Sequence, residues 1–294
     1  MANLKLVRTR IQSVKSTQQI TKAMKMVAAS KLRKAQDAIL QMRPYVQKLY
    51  GILENVASSV DSDHQSDYSI ERDVRNVLVV VVTSDRGLCG AFNSNSIKAA
   101  LAMIKAKYSA QEADNALWIM PIGKKAYEYF TKRNYQVVDN FHGLFTDLSF
   151  ENAKEAATFA MDGYLDEVYD RVDIVYNEFK NVATQILRTD QFLPIAQVEN
   201  EEFELQNTDY IFEPSIEYII QEMIPRTLKV QFYKALLESN ASEHGARMTA
   251  MDQATDNAGE LLKDLKLVYN RTRQAAITTE ILEIVGGAEA LENG

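Results

Sequence analysis

The chain has 294 residues, 46% of them hydrophobic, with only 5 prolines and 11 glycines, which is enough apolar material for one large or two smaller cores and excludes a disordered chain. Its longest aliphatic run, residues 77–82, falls far short of the ~20 apolar residues of a membrane-spanning helix, and a single cysteine, Cys89, excludes an internal disulfide. The net charge of -7 hides a segregation: residues 1–48 carry 11 Lys and Arg against one acid, Asp37, so this segment is +10 and the remainder -17.

A heptad placed on residues 4–60 puts Leu4, Ile11, Gln18, Lys25, Leu32, Ile39, Val46, Leu53 and Val60 at one seam position. The other holds Val7, Val14, Thr21, Ala28, Ala35, Met42, Leu49 and Val56. All but Gln18, Thr21 and Lys25 are apolar, so the spacing predicts a coiled-coil helix of roughly 85 Å, with Pro44 marking a kink or an early end. A basic, acid-poor start also resembles an organelle transit peptide, but the pattern runs on well past the length of one.

Residues 75–195 have a different texture. A Val-rich strand over 76–83 leads into a glycine-containing turn at 84–91 and a helix from Asn93 toward Lys107. A second strand over 116–122, a helix near 124–132, a short strand near 135–138 and a helix capped by Ser149 running to about Tyr169 follow in order. Strands over 172–179 and 184–193 close the set, with Pro194 at the exit. This alternation predicts an α/β, Rossmann-like domain with a largely parallel sheet. Polar connectors at 61–74 and 195–213 flank it.

From Ile216 a second heptad runs through Met223, Val230, Leu237, His244, Met251, Ala258, Leu265 and Thr272, with Ile219, Arg226, Tyr233, Asn240, Arg247, Ala254, Leu261 and Val268 at the other position. Pro214 suits its start and Gly286-Gly287 its stop, giving a helix on the order of 105 Å. Two such seams need partners, and each is the nearest available to the other, so an antiparallel coiled coil of residues 1–60 with 214–286 is expected. Setting Gln18, Thr21 and Lys25 opposite Asn240, His244 and Arg247 avoids burying polar groups against an apolar wall. That register puts Met24 near Arg247 and Leu4 near Lys266, and leaves about the last 20 residues without an internal partner.

Motifs for chemistry are sparse. The turn Asp85-Arg86-Gly87-Leu88-Cys89-Gly90 stands where α/β folds bind phosphate, yet it reads G-x-x-G without the full dinucleotide fingerprint. No P-loop, G-x-S-x-G or H-E-x-x-H occurs, and Gly123-Lys124-Lys125 reads as a strand-to-helix turn. His64, His142 and His244 lie too far apart in sequence for a recognisable metal motif. The basic first helix could meet nucleic acid, but it lacks aromatics until Tyr45 and commits half its surface to a seam. An acidic protein partner fits it better. The expectation is no catalytic, cofactor or metal site and no nucleic acid.

Four segments carry a specific resemblance. Ile20-Thr21-Lys22-Ala23-Met24-Lys25-Met26-Val27-Ala28-Ala29-Ser30-Lys31-Leu32 is similar to the N-terminal signature of the ATP synthase gamma subunits. Ser84-Asp85-Arg86-Gly87-Leu88-Cys89-Gly90 resembles the same family. So do Ala246-Arg247-Met248-Thr249-Ala250-Met251 and the run from Tyr269-Asn270-Arg271-Thr272-Arg273-Gln274 to Gly286-Gly287-Ala288.

The resemblance implies a central rotary shaft that couples proton-driven rotation of the c-subunit ring to ATP synthesis on the beta subunits, with alpha, beta and epsilon subunits as further partners and no chemistry in this chain. It places Met24 and Lys25 near an acidic loop of a beta subunit, Arg247 beside Met24 as a brace, and Arg273, Gln274 and Thr278 in the tail that touches beta-subunit loops. Cys89 alone cannot supply the regulatory cysteine pair of the photosynthetic branch. A start at Met1-Ala2-Asn3 resembles bacterial members, implying a peripheral protein on the cytoplasmic side of the inner membrane, touching the membrane only through the c ring.

Overall fold

The computed structural model describes residues 4–58, 67–195 and 216–292. The helix start at Pro214 and parts of both connectors lie outside them. The chain divides into two compact units, residues 1–28 with 248–294, and residues 29–247. Helix α1 (Leu4–Ser58) and helix α6 (Ile216–Glu292) each contribute to both.

In the smaller unit the two helices run antiparallel. Val7, Thr21 and Ala28 of α1 face Met251, Ala258 and Leu265 of α6 as the buried seam. The α1 heptad is thus the expected one, and it continues in the larger unit through the buried Leu32, Ala35, Ile39, Val46 and Leu49. In α6 the second seam position differs by one residue. Thr255, Leu262 and Tyr269 turn inward to half-buried positions, whereas Leu261 and Val268 are exposed.

The register also departs from expectation. Thr21 Oγ1 meets Thr255 Oγ1 at 2.8 Å, Lys25 Nζ pairs with Asp252 Oδ1 at 2.5 Å, and Gln18 Nε2 donates to Thr255 O at 3.4 Å. Polar residues do oppose polar residues, but Asp252 and Thr255 take the part assigned to Asn240, His244 and Arg247. Carried along the heptad, this register sets Leu4 well past Lys266, more than a turn nearer the C-terminus. Every residue from 273 to 288 is exposed, including Ile277, Ile281, Leu282, Ile284 and Val285. Helix α6 does not stop at Gly286-Gly287 but continues to Glu292. Glycine in an exposed helix interior weakens it by about 1 kcal/mol without ending it.

In the larger unit, five strands form one sheet in the order β3-β2-β1-β4-β5. Strand β1 (Val77–Val82) is central, with parallel neighbours β2 (Leu117–Ile122) and β4 (Arg171–Phe179). Strand β3 (Gln136–Val137) extends the β2 side, and β5 (Gln185–Leu193) closes the other edge antiparallel to β4. All six residues of β1 are buried, because both faces of the sheet are covered, which is why the strand is a continuous valine run and not an alternating one. Val77, Val79 and Val81 pack under helices α2 (Phe92–Lys107) and α4 (Lys124–Thr131). Leu78, Val80 and Val82 pack under helix α5 (Phe150–Leu165) and under Leu228, Phe232 and Leu236 of α6.

The expected strands and helices stand within a residue or two, apart from the α5 end, which comes four residues early. A short helix α3 (Ser109–Ala113) was not anticipated. Ser149 caps α5 as expected, its Oγ accepting from Asn152 N–H. Gly123 adopts φ 104°, and a Cβ there would lie 2.0 Å from Thr83 O. Only glycine lets the strand-to-helix turn close on the end of β1.

Candidate functional site

Doubly wound sheets bind ligands where the strand order reverses, outside the carboxyl ends of the strands. Here that point lies between β1 and β4. It is closed by helix α6, whose residues 241–245 are buried without interruption. Ser242 Oγ donates to Asn177 O at 3.1 Å, and Asn177 Nδ2 donates to Ser96 Oγ at 2.7 Å. Gly245 approaches the backbone closely, so that a Cβ there would meet Val182 O at 3.4 Å. Small residues at 241, 242 and 245 are what allow a helix to lie this deep.

The turn after β1 is held from two sides. Ser84 Oγ donates to Arg86 O at 2.6 Å, Asn93 Nδ2 donates to Cys89 Sγ at 3.2 Å, and Ser84 N–H donates to Asn93 Oδ1 at 2.8 Å. From α6, Arg247 donates to the carbonyls of Gly87 and Arg86 and, at 2.7 Å, to Glu243 Oε1. In a phosphate-binding turn, backbone N–H groups face a ligand. Here two carbonyls accept a guanidinium of the same chain, so the turn serves as a fastening.

Electrostatics around this contact are tight. The side chains of Glu243, His244 and Arg247 are each 11% exposed. Burial raises the Glu243 carboxyl above its ordinary range, opposed by Arg247, with Asp85 raising it further and Lys31 lowering it. Burial, then the charges of Lys31 and Arg247, lowers His244 to about 4. Among the described residues its Nδ1 has no hydrogen-bond partner, and it lies 3.9 Å from Glu243 Oε1.

The residues expected to meet partners are distributed as follows. Met24 and Lys25 are half-buried in the smaller unit, Lys25 being committed to Asp252. That pair is exposed enough to contribute only about 0.2–1 kcal/mol. Arg273, Gln274 and Thr278 are exposed on the bare tail, with Thr278 Oγ1 donating to Gln274 O at 3.0 Å. Arg247 sits in the larger unit, fastened to the turn. Sequence reasoning missed Glu243, Asp252 and Thr255. Glu243 stands four residues before Arg247, a helical ion-pair spacing, but nothing in that spacing told that both would be buried.

An α/β layer whose ligand crevice is filled by its own helix, and a two-helix seam that leaves an apolar end bare, mark the class of α/β proteins built on long terminal coiled-coil helices. The ATP synthase family profile matches residues 3–291. The ATP synthase gamma chain of Cytophaga hutchinsonii is 59% identical over 100% of both chains, and that of Flavobacterium psychrophilum 51% identical over 99% of this chain and 100% of its own. The chain belongs to the ATP synthase gamma chain family. Among solved structures, a chain of the Euglena gracilis mitochondrial ATP synthase shares the fold, with a TM-score of 0.67 at 20% identity over 99% of this chain and 95% of that one. A chain of the Tetrahymena thermophila mitochondrial ATP synthase central stalk and c-ring matches with a TM-score of 0.54 at 25% identity, over 80% of this chain and 99% of that one.

Proposed function

We propose that this chain is the central rotary shaft of a bacterial F-type ATP synthase, coupling proton-driven rotation of a c-subunit ring to ATP synthesis and hydrolysis on beta subunits while holding no catalytic site itself. The observation that carries the reading is the bare end of α6. Residues 273–288 form helix with no partner among the described residues and expose Ile277, Ile281, Leu282, Ile284 and Val285. A helix exposing that much apolar surface calls for a surrounding protein wall. Alpha and beta subunits supply it, and an epsilon subunit and the c ring hold the other end. The solved relatives are a chain of an assembly named as F1 with c-ring and a chain of a central stalk with c-ring, which supports the same role.

On this reading residues 1–60 and 214–286 are the shaft helices and 75–195 the attached α/β domain. Arg273, Gln274 and Thr278 meet beta-subunit loops from the tail, Met24 and Lys25 face an acidic beta-subunit loop, and Arg247 braces the helix that carries it. No helix among the described residues is long and apolar enough to cross a membrane, and the proposed location is the cytoplasmic side of the inner membrane, held through the c ring.

Isolation of the tagged chain from its native membrane tests the reading directly. Alpha, beta and epsilon subunits are expected in the eluate, and their absence would sink it. In the assembled enzyme, Met24→Lys is expected to lower the ratio of protons moved to ATP turned over. A second cation there competes with Lys25 for Asp252 and adds charge toward the acidic loop. An unchanged ratio removes Met24 and Lys25 from the contact.

A further inference from the structure

A carboxylate buried in the middle of a helix is costly unless a partner offsets the lost hydration. Glu243 has such a partner in Arg247, at 2.7 Å. The guanidinium is planar and carries its donors in a fixed fork. Its NH2 group is shared between Glu243 Oε1 and Arg86 O at 3.1 Å, while NH1 reaches Gly87 O. The carboxylate therefore sets the plane in which the fork meets the two carbonyls.

The turn that receives the fork does not rest easily by itself. Leu88 adopts φ 65° and exposes 68% of its surface. A left-handed conformation costs a branched residue about 1–2 kcal/mol and persists only where its surroundings enforce it. Ser84 and Asn93 hold the turn from within its own segment, and Lys124 N–H secures its start by donating to Asp85 Oδ1 at 3.1 Å. Its middle is held by Arg247.

We propose that Glu243 is the positioning residue of an internal clamp: it orients Arg247 onto the carbonyls of Arg86 and Gly87 and so fastens the 85–90 turn of the α/β domain to helix α6. The clamp stands on the geometry alone. Its purpose rests on the shaft reading above, in which torque applied to the domain must turn the helix without slack.

The chain carries its own reporter. Cys89 is the single cysteine, lies in the turn and is 1% exposed, so a maleimide reaches it only when the turn opens. Labelling of the full chain, normalised to the urea-unfolded chain, is expected to run roughly tenfold faster in Glu243→Gln, the size of effect one lost charge-assisted hydrogen bond produces. Arg247→Gln is expected to do the same, and the double variant to label no faster than Arg247→Gln alone, because Glu243 acts only through Arg247. The thermal midpoint of Glu243→Gln is expected to stay close to that of the parent chain. Unchanged labelling, additive single effects, or a midpoint that falls in step with labelling each overturn the clamp.

The purpose is tested in the assembled enzyme, where Glu243→Gln is expected to lower protons pumped per ATP hydrolysed. A turn that loosens with the ratio unchanged overturns the torque purpose and leaves the clamp standing. Failure of the parent chain to assemble overturns the shaft reading, and the thiol result is untouched by it.

Discussion

His244 shows how far a single residue can depart from what its letter suggests. At the sequence level it reads as a polar interruption of a seam, to be set against another polar group. In the structure its ring is buried, Nδ1 has no hydrogen-bond partner among the described residues, and burial lowers its pKa to about 4. A group whose folded pKa lies below its unfolded value near 6.5 contributes stability that is full above pH 6.5 and lost as pH falls toward 4. The loss over that span is of order 3 kcal/mol. Glu243 runs in the opposite sense, since its raised carboxyl favours the fold below its unfolded pKa and the benefit is lost as pH rises through the folded value. Urea unfolding of the full chain at pH 7 and at pH 5 is expected to show a fall in stability with acidification, and His244→Leu is expected to abolish or reverse it. An unaltered pH dependence in that variant would mean that His244 titrates alike in the folded and unfolded chain. Glu243 itself was illegible because its role depends on burial, which local spacing does not report, whereas the resemblance marked Arg247 as a brace beside Met24 and did not point to the carbonyls of Arg86 and Gly87 that it meets.

Among the elements, legibility followed the strength of the pattern. The valine run of β1 could only be a strand covered on both faces, and the α1 heptad named its buried residues because its apolar positions have few rivals. Helix α6 was harder. It is apolar at both of two candidate second positions, Leu261 and Val268 on one row and Leu262 and Tyr269 on the next. Periodicity cannot choose between adjacent rows, and packing against α1 chose the second. The register was misjudged for a related reason: several polar residues of α6 were available to face Gln18, Thr21 and Lys25, and the rule that like faces like does not say which. The Thr21 to Thr255 contact fixes the answer and, one heptad earlier on α1, brings Val14 opposite Leu262. Cysteines placed at Val14 and Leu262 are expected to crosslink under mild oxidation. Those at Leu4 and Lys266 are not, because they are offset by about 9 Å along the axis and disulfides need Cα atoms within about 7 Å. Crosslinking of the second pair and not the first would restore the register read from the sequence.

Over the whole molecule, fold class and family were readable because four signature segments and two heptads agreed with one another, and such agreement across levels is what makes a sequence specify one fold. What could not be read was the fate of the ligand crevice, since its closure depends on helix residues 65 positions beyond their contact on β4 and 160 beyond their contact on the β1 turn. Arg8, Arg10, Lys15 and Lys22 are all exposed on α1, so the end that, on the shaft reading, enters the ring of alpha and beta subunits carries a dense positive field. Fields of this kind accelerate encounter and orient the approach, and dissolved ions mute them. The rate at which purified chain reconstitutes with alpha and beta subunits is expected to drop about tenfold or more between low and moderate ionic strength, while the lifetime of the finished assembly changes little. Equal sensitivity of both rates would show that these cations grip the walls of the ring instead of guiding entry into it.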